Sequence, residues 1–99
     1  MKEELYISDR IVEKIKNKHR LDKDEVIQAW KKYDGITLAD TRERYWTYPP
    51  TEWFLVRSDS GKLLKIIFMI DDDGTAYLKS AFEADKTEKR IFLAHGGIL

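Results

Sequence analysis

Cysteine does not occur among the 99 residues. That removes disulfides, thiolate metal ligands and a cysteine nucleophile from consideration. Proline is scarce, its two copies standing side by side at 49 and 50, and glycine contributes five residues. No linker, low-complexity tract or internal repeat divides the chain. One domain over residues 1–99 is expected, because two would each be too small to bury a core. An excess charge of either sign is lacking too, since 18 Lys+Arg balance 18 Asp+Glu. Zero net charge argues against a protein coated in basic charge and against direct DNA binding, but it permits a local basic face. Long apolar runs are missing as well. The longest, residues 66–70, is far too short to cross a bilayer. No apolar segment follows Met1-Lys2-Glu3-Glu4, as a signal peptide would require. A cytoplasmic location without a membrane partner is expected. Finally, G-x-S-x-G, Walker, G-x-G-x-x-G and H-E-x-x-H patterns are absent, so esterase, NTPase, dinucleotide and zinc-protease readings find no support.

What is present suffices for a folded core: 42% of residues are hydrophobic and 36% charged. Ser8 is placed to cap a helix running to about Lys18, with Ile7, Ile11 and Ile15 on one stripe. A break is expected at Arg20-Leu21. Asp22 and Glu25 then have capping-box spacing, with Leu21 and Val26 as the staple. Val26, Ala29, Trp30 and Tyr33 follow helical periodicity, and Gly35 is expected to supply a left-handed cap. Residues 36–40 read as a short edge strand. Residues 51–57, 62–70 and 75–82 read as three long strands joined by turns at 58–61 and 71–74. The near-continuous apolar run of the middle strand suits a position covered on both faces. Asp85 and Glu88 repeat the capping-box spacing ahead of a last helix. The expected fold class is α+β. It is a twisted antiparallel sheet of three to four strands with two N-terminal helices and one C-terminal helix, in the order α-α-β-β-β-β-α, with the helices on one face.

Few residues carry recognisable chemistry. His19 and His95 are the only histidines. Either ring can act as acid or base near neutrality, or serve as a tolerated polar group at a helix end. Their separation makes no zinc spacing, and no metal or cofactor is expected. Asp71-Asp72-Asp73-Gly74 has the look of a calcium loop, but the sixth position is Ala76 instead of glycine, so a self-capped turn is expected. Lys14, Lys16, Lys18, His19 and Arg20 form a run without a carboxylate, which is either a solvated face or an edge for phosphates. Residues 41–54 hold Arg42, Glu43, Arg44 and five aromatics, among them Tyr45 and Trp46. Arginines grip phosphates and aromatics stack on unpaired bases, while the same mixture also suits a protein partner. Lys65 interrupts the apolar middle strand, and Lys79 lies in the next one. A lysine in a covered strand must snorkel, pair with an acid or face a cleft, so these two either share a concave anion site or face solvent separately.

Three stretches carry a family resemblance. Lys18-His19 followed by Leu21 and Glu25-Val26 is the first. Leu63-Leu64-Lys65-Ile66-Ile67-Phe68 is the second. The third is Lys79-Ser80-Ala81 with Glu88-Lys89-Arg90-Ile91-Phe92. Together they resemble the BrnT-like branch of the RelE/ParE-like toxin superfamily. Where that branch carries arginines after the serine-alanine pair, this chain has Phe82 and Glu83. The resemblance implies a ribonuclease toxin of a bacterial toxin–antitoxin pair, with RNA and an antitoxin protein as partners. Its metal-independent cleavage would proceed by 2′-hydroxyl attack. On that reading Arg42 and Arg90 clamp phosphate, Lys65 adds a cation, and Glu43 or His19 shuttles the proton. Lys18, Arg44, Tyr45, Trp46 and Lys79 hold the RNA. The alternative is a non-catalytic protein-binding module on the same fold, working through residues 41–54.

Overall fold

The computed structural model describes residues 1–40 and 49–99. The elements run β1 (Leu5–Tyr6), α1 (Asp9–His19), α2 (Lys23–Lys32), β2 (Leu38–Ala39), β3 (Thr51–Arg57), β4 (Leu63–Ile70), β5 (Ala76–Glu83) and α3 (Lys86–Ala94). The strands form one five-stranded sheet in the order β1-β5-β4-β3-β2. Strands β2 to β5 pair antiparallel as a meander, with β2 at the edge, as the turn spacing predicts. Strand β1 pairs parallel with β5 through Leu5↔Ala76 and Tyr6↔Tyr77. The class is therefore α+β as expected, but the sheet is mixed and five-stranded, and a strand precedes the first helix. Two residues are too few to leave an alternation in the sequence.

The helix ends show where local reading succeeds and where it does not. Ser8 caps α1, its hydroxyl accepting from the Ile11 N–H at 3.3 Å. Arg20 ends that helix in the left-handed region, at φ 54° and ψ 37°. Asp85 and Glu88 complete the expected capping box on α3, with bonds of 2.7 and 2.9 Å. Asp22 also caps α2 by position, but its side chain makes no capping bond. Glu25 is drawn away instead, accepting from the Ser60 hydroxyl and lying 3.8 Å from the Lys62 ammonium. Gly35 is not the left-handed cap. Helix α2 leaves through Tyr33 in extended conformation, and Gly35 has no positive φ. Its small size answers a different need: a Cβ there would lie 2.6 Å from the Tyr33 hydroxyl, which donates to the Ile36 carbonyl.

Strand β3 explains the layering. Residues 53–56 are all buried, and successive side chains of a strand point to opposite faces. Phe54 meets Trp30 of α2 and Phe68 of β4, both at 5.8 Å between ring centroids. Tyr33 stacks on Phe54 at 3.9 Å. Trp53, on the other face, meets Phe92 of α3 at 6.1 Å. The helices thus cover both faces instead of one, α2 on the Phe54 side and α3 on the Trp53 side, while α1 lies along β5. This double cover is what makes β4 apolar almost throughout. Between Ile67 and Phe68 the β4–β5 register shifts: Ile67 faces Ser80 and Phe68 faces Leu78, so Lys79 is the extra residue of a bulge.

The two acidic and polar turns behave as read. Asp71 accepts from the Asp73 and Thr75 N–H groups at 3.1 Å, and Gly74 takes a φ of 88°. Ser58 opens the other turn, which Gly61 closes at a φ of 90°.

Candidate functional site

Two groups of cations are told apart by their surroundings. The first centres on Lys65, near the middle of β4. It is only 8% exposed, and its ammonium is 2.7 Å from a Glu88 carboxylate oxygen on α3. The same ammonium lies 4.6 Å from the centroid of the Trp53 ring and 5.7 Å from that of Phe82. The other oxygen of Glu88 accepts from the Asp85 N–H in the capping box. The pair borders a cavity of about 440 Å³ whose walls include Leu38, Trp53, Asp85, Ile91 and His95. Of the outcomes open to a lysine in a covered strand, Lys65 takes the pairing with an acid, at the border of a cleft. It neither faces solvent nor stands free as an anion-binding cation, because burial of an ammonium in a covered strand requires a partner.

The second group is open. Arg10, Lys14 and Lys18 are spaced by four, which puts them on one stripe of α1, away from the buried Ile11 and Ile15. Lys79 joins them from the β5 bulge. Burial, followed by the charges of Lys18, Arg10 and Lys79, lowers the pKa of Lys14. No described carboxylate forms an ion pair with any of the four. His19 stands at the end of the stripe. Its ring lies 5.3 Å from that of Phe82, on the strand next to Lys65. Partial burial, then Lys14 and Lys18, lowers its pKa below the ordinary 6.5. At neutral pH the ring is mostly uncharged and can accept a proton.

The residues singled out from the sequence therefore separate. Lys18, His19 and Lys79 come together around Lys14. Lys65 is close to His19 only through the shared Phe82 ring. Lys79 belongs with Lys14, not with Lys65. Arg90 is exposed on α3, and no described contact joins it to either group. Arg42, Glu43, Arg44, Tyr45 and Trp46 lie outside the described residues. His95 is a helix-end residue whose Nδ1 is 2.8 Å from the Ile91 carbonyl oxygen.

Two important residues escaped sequence reading. Arg10 has a visible signal, one helical step before Lys14. The spacing of Glu88 reads as a capping box, and nothing local reveals that its second oxygen reaches a strand 23 positions earlier.

Among the described residues, no group of three or more His, Asp or Glu is placed to hold a metal ion, and no helix is long and apolar enough to cross a membrane. No protein-family model matches the chain, and neither does any curated protein.

Proposed function

We propose that this protein binds RNA along the α1 stripe and cleaves it as a toxin-like, metal-independent ribonuclease, held in check by an antitoxin partner. The supporting observation is the gathering of Arg10, Lys14, Lys18 and Lys79, with no carboxylate partner among the described residues, beside a histidine whose pKa is lowered. Each step of four residues advances about 6 Å along the helix, so the cations form a track instead of one point charge. A neutral His19 takes the proton of a 2′-hydroxyl. The 2′-oxygen then bonds to the adjacent phosphorus, the bond to the 5′-oxygen breaks, and the proton passes to that leaving oxygen. Lys14 and Lys18 oppose the negative charge that develops on the phosphorane. The products are a 2′,3′-cyclic phosphate and a 5′-hydroxyl. Lys65 has no part in this scheme, because Glu88 already neutralises it.

That same neutralisation favours the second reading, a non-catalytic binding module, since the centre of the sheet offers no free cation among the described residues. Incubation of 5′-labelled RNA with the purified protein, with and without EDTA, separates the two. Ribonuclease action gives EDTA-resistant cleavage with cyclic phosphate ends, lost in His19→Gln and weakened in Lys14→Glu. Intact RNA at high protein concentration, or cleavage unchanged in His19→Gln, overturns the scheme.

A further inference from the structure

Strand β1 stops after two residues, and the outer edge of β5 continues past it with no strand partner among the described residues. At this step the Tyr6 and Tyr77 rings meet edge to face, 5.5 Å apart. Tyr6 is 57% exposed, so part of its ring is open to solvent. Its neighbour in sequence, Leu5, is buried and fixes the strand, so the ring is presented on an ordered support. Tyr6, Tyr77, Arg10 and Lys79 line one hollow of about 130 Å³, floored by Ile11, Met69 and Leu78. The hollow adjoins the cation track, since Arg10 and Lys79 belong to both.

We propose that this hollow is a nucleotide subsite for single-stranded RNA, in which an unpaired base stacks on Tyr6 while its phosphate lies toward Arg10 and Lys79. The proposal rests on the RNA reading of the α1 stripe and adds the state of the strand that it accepts. An exposed aromatic face favours unpaired bases, because a duplex hides its base faces in the stack. Charge also sets the direction in which the strand leaves. A side-chain hydrogen bond to Asp71, followed by the charges of Asp71 and Asp73, raises the pKa of Tyr77. Their carboxylates repel phosphate at that end, so the backbone runs from the tyrosines toward Lys79, Lys14 and Lys18.

Fluorescence anisotropy of a labelled ten-nucleotide 2′-O-methyl RNA, which cannot undergo 2′-hydroxyl attack, tests binding apart from cleavage. Tyr6→Ala is expected to weaken binding of the single strand about ten-fold or more. Tyr6→Phe should leave it unchanged, and a duplex of the same sequence should respond little to either. Lys79→Ala should reduce the salt slope by about one ion. A second measurement uses the unaltered protein: photocrosslinking to a 4-thiouridine oligonucleotide should label peptides containing Tyr6 or Tyr77. Undiminished single-strand binding by Tyr6→Ala, with Lys14→Glu still defective, overturns the subsite and leaves the RNA reading standing. Crosslinks confined to other surfaces also overturn the subsite. Failure of the wild-type protein to bind either RNA overturns both.

Discussion

The Lys65 region and the α1 stripe use the same chemical group under opposite conditions. Lys65 is enclosed by Trp53, Phe82 and Glu88, and its charge is matched at 2.7 Å. Lys14 is more open, and the charges around it are of its own sign. An ammonium removed from water must be paired, so Lys65 is committed to the fold. Ammonium groups that remain hydrated can be assembled without partners at modest cost, and they retain their attraction for an anion from outside. The structural cation and the recruiting cations are thus told apart by their partners, not by residue type.

The largest test of this contrast removes the partner of Lys65. Glu88→Ala should destabilise the protein by about 3–5 kcal/mol, as expected when a buried charge is orphaned. Urea unfolding would measure it. Replacing both members, Lys65→Met with Glu88→Leu, should recover most of the loss, because no isolated charge remains. A smaller effect is expected at the end of α1, where Arg20 occupies the left-handed region. Arg20→Gly should raise stability by up to about 1 kcal/mol through relief of backbone strain. Arg20→Gln, which removes the charge and keeps the strained backbone, separates conformational cost from charge repulsion at this edge.

Lys14→Gln sharpens the comparison further. It should stabilise by roughly 0.2–0.5 kcal/mol at low salt, because it removes like-charge contacts one helical turn apart. The gain should fade at high salt, whereas the Glu88→Ala loss should persist. The smallest effect concerns pH. The folded-state pKa of His19 lies below its unfolded value, so the folded protein favours the neutral ring. This contribution is present above about pH 6.5 and is lost as pH falls through the lowered folded value. Thermal unfolding between pH 7.5 and 5 should therefore decline less in His19→Gln than in the wild type.

Local rules carried the sequence reading far. The caps at Ser8 and Asp85, the periodic Val26-Ala29-Trp30-Tyr33 face and both tight turns need only near neighbours, and all are present. Strand β4 was legible as central because both its faces are covered. The same pattern continues into Trp53-Phe54-Leu55-Val56 and runs against the expectation of helices on one face, since a strand buried on both faces needs cover on both. Gly35 reads as a left-handed cap because a crowded tyrosine hydroxyl and a left-handed turn both call for glycine, and sequence cannot separate the two. Of the candidate site, Lys18 and His19 were legible as a run along one helix. Their grouping with Lys79 depends on β5 returning beside α1, and the Lys65–Glu88 pair depends on α3 crossing β3 and β4. Such contacts are products of the tertiary fold and leave no local periodicity.

The two oxygens of Glu88 have a consequence for folding dynamics. One closes the first turn of α3, and the other holds the centre of the sheet. The start of this nine-residue helix therefore cannot fray without also releasing β4's charge. Helix termini usually open independently of the core, and their amides exchange early. Here the Asp85 and Glu88 amides should exchange with solvent almost as slowly as those of β4, while the amides of Gly96 and Gly97 exchange fast. A short terminal helix would then belong to the same cooperative unit as the central strand, and hydrogen exchange followed residue by residue would show it.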